Sequence, residues 1–323
     1  MMMNLNTDKH IACLGAGLIG TGWATSFLWK GLPVYLCDPN SQQLANGKKI
    51  LEKNFDFLVK TGLISAADSD EALSNVIFTE NMAEAVSDTE FIIEAGPENY
   101  QEKQDILGQV ELFAPSDAIF ASSTSGLLIS VIAQNAQNPE RCLGAHPFNP
   151  PYLIPLVEIS KGEKTSDETV KKMFDFLSKL EKEPIVLKKE VVGLIANRLA
   201  LALYREAVEL VTRGVCTIED VDKAVCYGPG LRYASMGPNL LYHLGGGPYG
   251  IKGILQHIGP SVERWWSDMA NWTKWPPGWV DVAAKGIEEA MANRPPGQGQ
   301  TTEELARFRD EILLGNLKMH KKL

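Results

Sequence analysis

The first part of this chain is predicted to be an α/β domain, a doubly wound sheet covered by helices on both faces, followed by an all-α domain. Three observations predict this. Short apolar runs alternate with amphipathic helical patterns from His10 to Leu187, as in a parallel sheet with crossover helices. The glycine loop Gly15-Ala16-Gly17-Leu18-Ile19-Gly20 lies between the first apolar run and the first helical pattern. After Val191 no convincing strand follows, and helical periodicity broken by Gly/Pro loops runs to the end. At roughly 150 residues per domain, the 323 residues divide into domains 1–190 and 191–323.

The elements follow in order. His10–Leu14 is a buried strand, and Leu18–Trp29 a helix stopped by Gly31 and Pro33. Val34–Asp38 is a second strand. Ser41–Val59 is a long helix whose apolar face is Leu44, Ile50, Leu51, Phe55 and Leu58. Val76–Thr79, Phe91–Ala95, Ala118–Ser122 and Cys142–His146 are further strands, with a helix at Tyr100–Phe113. Leu156–Ile159 and Ile185–Leu187 extend the strand set around a helix near Asp167–Leu180. One long helix is expected from Gly193 to Arg213, then helices separated by loops at Gly228–Gly230, Gly245–Gly250 and Trp275–Gly278.

Composition narrows the function. Hydrophobic residues make up 45% and charged residues 22%, which fits a globular chain with a core. The net charge is −9 and no basic cluster stands out, so a nucleic-acid partner is not expected. An anionic cofactor is still allowed, because a glycine loop and a helix end bind phosphate with backbone N–H groups. The five cysteines, Cys13, Cys37, Cys142, Cys216 and Cys226, show no Cys-x-x-Cys spacing, so a reducing compartment and no structural metal are expected. Met1–His10 is short and polar, without a signal-peptide core. No apolar run reaches the ~18 residues of a membrane span. A cytoplasmic protein without a membrane partner is the expectation.

The glycine loop meets three requirements of a dinucleotide site. It follows a strand, opens a helix, and precedes an acidic residue, Asp38, at the end of the next strand. Gly15 permits the tight turn, Gly17 lets backbone approach a pyrophosphate, and Gly20 lets helix and strand pack closely. Leu18 and Ile19 open the helix whose N–H groups face that pyrophosphate. Asp38 would accept hydrogen bonds from the adenosine ribose hydroxyls and repel a 2′-phosphate, which favours NAD over NADP. This is a Rossmann-type pattern, and the alternative is a glycine turn that merely packs.

A candidate catalytic pair lies further on. His146, in Gly144-Ala145-His146-Pro147-Phe148-Asn149-Pro150-Pro151, comes just after a strand, where ligands bind in open parallel sheets. A histidine there can take the proton of an alcohol while hydride leaves for nicotinamide. Glu158 sits in the apolar Leu156-Val157-Glu158-Ile159, and a buried carboxylate is costly unless paired. Pairing with His146 is the economical account. The alternative is that backbone satisfies each separately. Ser125, in Ser122-Ser123-Thr124-Ser125-Gly126, and Asn197, in the apolar stretch Gly193–Leu203, could bind the reacting oxygen. Each could equally be a cap or a satisfied core polar group.

Taken together, these residues resemble the L-3-hydroxyacyl-CoA dehydrogenase superfamily. The likeness runs through the glycine loop, Ser-Ser-Thr-Ser, His-Pro-Phe-Asn-Pro-Pro with Glu158 following, and Gly193-Leu-Ile-Ala-Asn-Arg-Leu199. The resemblance implies His146 as acid–base, Glu158 as its orienting partner, and Ser125 and Asn197 as ligands of the substrate 3-oxygen. It also implies an NAD domain followed by a helical domain that forms a homodimer. Glu94 and Glu98, in Glu-Ala-Gly-Pro-Glu-Asn, match a family segment lining the cofactor cleft.

Within the superfamily the chain departs from the acyl-CoA enzymes, which typically carry Ser-Asn-Thr-Ser-Ser where this chain has Ser-Ser-Thr-Ser-Gly. The stretch His146–Glu158 and Gly230-Leu-Arg-Tyr-Ala-Ser-Met-Gly-Pro238 look more like the carnitine dehydrogenase and L-gulonate 3-dehydrogenase (lambda-crystallin) branch, which oxidises free 3-hydroxy acids. The turn Val59-Lys60-Thr61-Gly62-Leu63 holds a single lysine, few for CoA phosphates. A short-chain acyl-CoA substrate is the alternative, and a catalytically idle, crystallin-like NADH-binding protein is another. A free carboxylate calls for a guanidinium, and Arg232 is the candidate, with a surface or interface arginine as the other reading. Trp265, Trp266, Trp272, Trp275 and Trp279 fall in one stretch. Packing against a dimer partner is the favoured account, and a cation–π cage for a quaternary ammonium the other.

Overall fold

The structure is a computed structural model that describes residues 9–323. The polar start Met1–Asp8, for which no signal core is expected, lies outside the described residues. The chain forms two compact units, one running to Asn197 and including Lys322–Leu323, the other Arg198–Lys321.

The first unit alternates strand and helix. Its elements are β1 (His10–Leu14), α1 (Leu18–Trp29), β2 (Val34–Cys37), α2 (Ser41–Lys60), α3 (Ala66–Ser74), β3 (Val76–Thr79), α4 (Met82–Val86) and β4 (Thr89–Glu94). They continue with α5 (Tyr100–Phe113), β5 (Ile119–Ser122), α6 (Ile129–Ile132), β6 (Cys142–Pro147), β7 (Leu156–Lys161), α7 (Asp167–Lys179) and β8 (Glu183–Val186). The strands make one sheet in the order β3-β2-β1-β4-β5-β6-β7-β8. The long expected elements are present within a few residues of their expected ends. The short helices α3, α4 and α6 are not anticipated, because pieces of 9, 5 and 4 residues show too few turns for a periodic signal.

Every neighbouring pair is parallel except β6 and β7, which are antiparallel. This departs from the expected parallel sheet, and connection length explains it. Only Phe148–Pro155 separates β6 from β7. A parallel crossover needs about a dozen residues or more, so the chain turns back as a hairpin. The hairpin sets His146 of β6 directly opposite Glu158 of β7.

The core forms as the sequence patterns require. Trp23, Ala24 and Phe27 of α1 and Leu51, Phe55 and Leu58 of α2 are wholly removed from solvent. The expected face of α2 is buried at Leu44, Leu51, Phe55 and Leu58, with Ile50 half-buried at its edge. Asn40 caps α2 by accepting from the N–H groups of Gln42 and Gln43. The strand order reverses about β1, between β2 and β4, and ligands of such sheets bind in the crevice at the carboxyl ends beside that point. Because β1, β2, β4, β5 and β6 run the same way, Gly15, Asp38, Ala95, Ser123 and Pro147 all fall at one edge.

The second unit is helical: the remainder of α8 (Ala196–Thr212), then α9 (Ile218–Tyr227), α10 (Pro229–Tyr233), α11 (Pro238–Gly245), α12 (Gly250–Asp268), α13 (Trp279–Ala292) and α14 (Thr302–Met319). Helix α8 starts later than the expected Gly193, because Gly193 and Leu194 have φ of 79° and 51° and left-handed backbone cannot continue a right-handed helix. No helix among the described residues is long and apolar enough to cross a membrane.

Candidate active site

The glycine loop leaves β1 and turns at once into α1. Gly15 has φ of 103°, and a Cβ there would lie 2.6 Å from the Ala95 carbonyl oxygen of β4's end. A Cβ on Gly20 would lie 1.8 Å from the Gly15 carbonyl oxygen, so helix and loop touch only without side chains. At Gly17 a Cβ would meet only the end of the Gln43 side chain, at 3.9 Å, so that position has room. Among the described residues no side chain caps α1. Its first-turn N–H groups, at Leu18 and Ile19, are therefore available to an anion. Open room at Gly17 and an uncapped helix end are what a pyrophosphate needs, and the residues present fit a dinucleotide.

Asp38 holds this cradle in shape. Its Oδ2 accepts from the Ala16 N–H at 2.9 Å and its Oδ1 from the Asn40 N–H at 3.0 Å. Each carboxylate oxygen can accept again, so both remain open to a ribose hydroxyl.

Glu94 and Glu98 divide their work. Glu94, at the end of β4, is wholly buried. It accepts from Lys103 Nζ at 2.8 and 3.0 Å, the Ser122 hydroxyl at 2.5 Å and the Gly96 N–H at 2.6 Å. It has no exposed face for a ligand, and its effect on the cleft runs through the segments it ties down. Glu98 is exposed and accepts from the Thr124 hydroxyl at 2.7 Å and the Ser125 N–H at 2.8 Å. Lys103, 3.6 Å from Glu98, links the two carboxylates. Sequence reasoning misses Lys103, although a signal exists: it falls on the buried stripe of α5 with Leu107 and Val110. A lysine on a core stripe demands a carboxylate partner.

His146 and Glu158 meet across the hairpin. Opposed residues of an antiparallel pair carry their side chains on one face, and His146 Nδ1 lies 3.0 Å from Glu158 Oε2. Glu158 is wholly buried and His146 nearly so. The other carboxylate oxygen of Glu158 accepts from the N–H groups of Ile195 and Ala196, at 2.9 and 3.0 Å, where α8 begins. Burial pushes the Glu158 carboxyl up, but the hydrogen bonds from His146, Ala196 and Ile195 together outweigh it. The group therefore titrates below the usual carboxylate range. An ionised carboxylate only accepts, so Nδ1 of a neutral His146 carries the proton. Nε2 then keeps a free lone pair.

Asn197 and Ser125 join the same chain of contacts. The Asn197 side-chain amide donates to the Ser125 carbonyl oxygen at 2.9 Å, and Ser125 is exposed, which opens its hydroxyl to a ligand. These bonds also explain why the first unit extends to Asn197. Glu158 and Ser125 tie Ile195–Asn197 to the sheet. Arg232 lies in α10 of the second unit and is exposed. The tryptophans separate. Trp272, Trp275 and Trp279 cluster with Tyr204 at ring-centre distances of 5.9–6.4 Å, whereas Trp265 and Trp266 are exposed on α12.

The chain is similar to known proteins over most of its length. The pattern described as 3-hydroxyacyl-CoA dehydrogenase, NAD binding domain, matches residues 10–191, and that of the 3-hydroxyacyl-CoA dehydrogenase C-terminal domain matches residues 193–276. The chain is 38% identical to an L-carnitine dehydrogenase of Bacillus cereus over 99% of its own length and 95% of the relative's. It is 39% identical to an L-carnitine dehydrogenase of Streptomyces coelicolor over 88% of each. Among solved structures, 5-formyl-3-hydroxy-2-methylpyridine 4-carboxylic acid 5-dehydrogenase, an NAD+ dependent dismutase, superposes with a TM-score of 0.79 at 30% identity, covering 98% of both chains. A 3-hydroxybutyryl-CoA dehydrogenase from Escherichia coli gives 0.64 at 28% identity, covering 73% of this chain and 49% of that one.

Because the Glu158 carboxyl is held below its unfolded value, its stabilising effect is complete above the unfolded pKa of about 4.3 and is lost as pH falls through the lower folded value. Urea unfolding of the parent and of Glu158→Gln should show a stability gap that is full near neutral pH and narrows steadily below about pH 4. A gap that stays constant down to about pH 3 would contradict the ionised assignment.

Proposed function

The chain belongs to the 3-hydroxyacyl-CoA dehydrogenase family and is an NAD-dependent oxidoreductase, and from that premise we propose that it oxidises the 3-hydroxyl of a free, carnitine-like hydroxy acid. The observation that carries the reading is the buried His146–Glu158 pair at the sheet edge that also holds the glycine loop. His146 is the proton acceptor. With Nδ1 committed to Glu158, Nε2 is free to take the hydroxyl proton. NAD, when bound, accepts the hydride. Glu158 holds the ring in one tautomer and stabilises the imidazolium that forms. The Ser125 hydroxyl and the Asn197 amide bind the reacting oxygen and orient it toward His146. Gly15, Gly17, Leu18, Ile19 and Gly20 hold the pyrophosphate, Asp38 the adenosine ribose, and Glu98 the nicotinamide side of the cleft with Glu94 and Lys103 behind it.

The choice of a free acid over a CoA thioester rests on the L-carnitine dehydrogenases among the full-length relatives and on the single lysine, Lys60, in the turn after α2. Arg232 is the proposed carboxylate ligand. An NAD-reduction screen over L-carnitine, gulonate, 3-hydroxybutyrate and 3-hydroxybutyryl-CoA tests the reading. Turnover should be highest on a free acid. His146→Gln should lower kcat by about 10²–10⁴-fold while NADH binding is retained. Highest turnover on the CoA thioester would overturn the substrate class. An unchanged kcat in the variant would overturn the role of His146.

The helical unit supports a homodimer, in a cytoplasmic setting consistent with five free cysteines. It exposes Leu199, Leu201, Tyr227, Leu231, Tyr249, Trp265 and Trp266, each more than half accessible, apolar side chains that a second copy would cover. Sedimentation equilibrium should return twice the mass of the chain. A single-chain mass at micromolar concentration would reject the dimer.

A further inference from the structure

The loop from Pro147 to Pro155 joins the strands that carry His146 and Glu158, so its placement governs how the two side chains meet. Beyond Pro147, the last residue of β6, three of the eight connecting residues, Pro150, Pro151 and Pro155, are proline and have no N–H to donate. Its anchorage therefore relies on its carbonyl groups. The Pro150 carbonyl is used within the loop, accepting from Leu153 and Ile154 at 3.0 and 2.9 Å. The Pro155 carbonyl accepts from the Glu183 N–H at 2.8 Å. Two of the four carbonyls between them, those of Pro151 and Ile154, meet the amine of one lysine. Lys182 Nζ donates to the Pro151 carbonyl and, at 3.4 Å, to that of Ile154.

The setting of this amine is unusual. Lys182 is buried, and no carboxylate pairs with it among the described residues. Burial, reinforced by the charge of Lys30, pushes the amine down to about 7. An unpaired buried lysine is unfavourable unless its hydrogen bonds compensate. The amine's hydrogen bonds go to the loop, and the aromatic ring beside it belongs to α1. Ser26 of α1 donates to the same Pro151 carbonyl at 3.3 Å. The Lys182 amine stands 6.0 Å from the centre of the Trp23 ring, and the Trp23 indole N–H donates to the Ser123 hydroxyl at 3.1 Å. A Cβ on Gly22 would lie 2.5 Å from the Pro151 ring, so the loop lies directly on α1.

We propose that Lys182 is a positioning residue for the His146–Glu158 pair: by clasping the carbonyls of Pro151 and Ile154 it fixes the connecting loop on α1 and so sets where His146 stands. Lys182 touches neither substrate nor cofactor. The inference rests on the reading of His146 as proton acceptor.

Lys182→Met keeps most of the apolar stem and removes the terminal amine with its donors. Three quantities are read: kcat for NAD reduction on the hydroxy acid that the parent oxidises in the screen, NADH affinity by fluorescence, and amide exchange at Leu153 and Ile154. The expected result is a loss of about ten-fold or more in kcat with NADH affinity held within about twofold and faster exchange at both amides. Lys182→Arg, which restores donors, should recover part of kcat. Unchanged kcat in Lys182→Met, or an equal loss of kcat and NADH affinity, overturns the proposal. If Lys182→Met does not fold, Lys182→Gln decides: its amide is too short for both carbonyls, so kcat should fall by about three-fold or more, and an unchanged kcat overturns the clasp. A parent inactive on every substrate counts against the proposed function alone. The exchange measurement then decides the clasp, and unaltered exchange at Leu153 and Ile154 refutes it.

Discussion

A single buried carboxylate, Glu158, organises the chemistry-bearing part of the first unit. Removing an isolated carboxylate from water is prohibitive, and it is tolerated here because both oxygens are occupied. One faces His146 Nδ1 and the other takes two N–H groups at the start of α8. The same interaction therefore orients a histidine, caps a helix and fixes the end of the first unit. The α8 donors are among those that a helix leaves unpaired at its N-terminus, so the carboxylate resolves two deficits at once. Replacing it by a neutral group would leave the histidine ring without its orienting acceptor and weaken the tie that holds Ile195–Asn197 to the sheet.

The glycine loop depends on a different constraint, close approach of backbone to backbone. Gly15 and Gly20 are required by contacts of 2.6 and 1.8 Å that any Cβ would make, whereas Gly17 has only the Gln43 side chain within reach and no described side chain caps the helix behind it. Sheet polarity brings this cradle and the His146–Glu158 pair to one edge. A dinucleotide would lie along that edge from the strand-order reversal beside β1, where open sheets bind their ligands.

Much of this was legible in the residues. The glycine loop with Asp38 carries a local pattern whose physical reasons are local, so it can be read without a structure. Glu158 was legible as a charge in an apolar strand, and its pairing with His146 followed from the cost of leaving it alone. The antiparallel hairpin was less visible, although the short connection Phe148–Pro155 contained the information. Glu94 illustrates the limit. The family resemblance puts it in a segment that lines the cofactor cleft, whereas its carboxylate is buried against Lys103 and Ser122, and that is a property of packing. Lys182 gave no sequence signal at all. It follows Glu181 and precedes Glu183 like any surface lysine, and only the fold reveals that the loop carrying Pro151 closes over it.

The tautomer of His146 tests the central claim most directly. In ¹⁵N-histidine-labelled protein, assigned by the resonance missing from His146→Gln, the neutral ring should carry its proton on Nδ1 and leave Nε2 bare. That is the form an ionised Glu158 enforces and the form that can accept a proton from an alcohol. A neutral ring protonated on Nε2 would contradict both the pairing and the proposed role of His146.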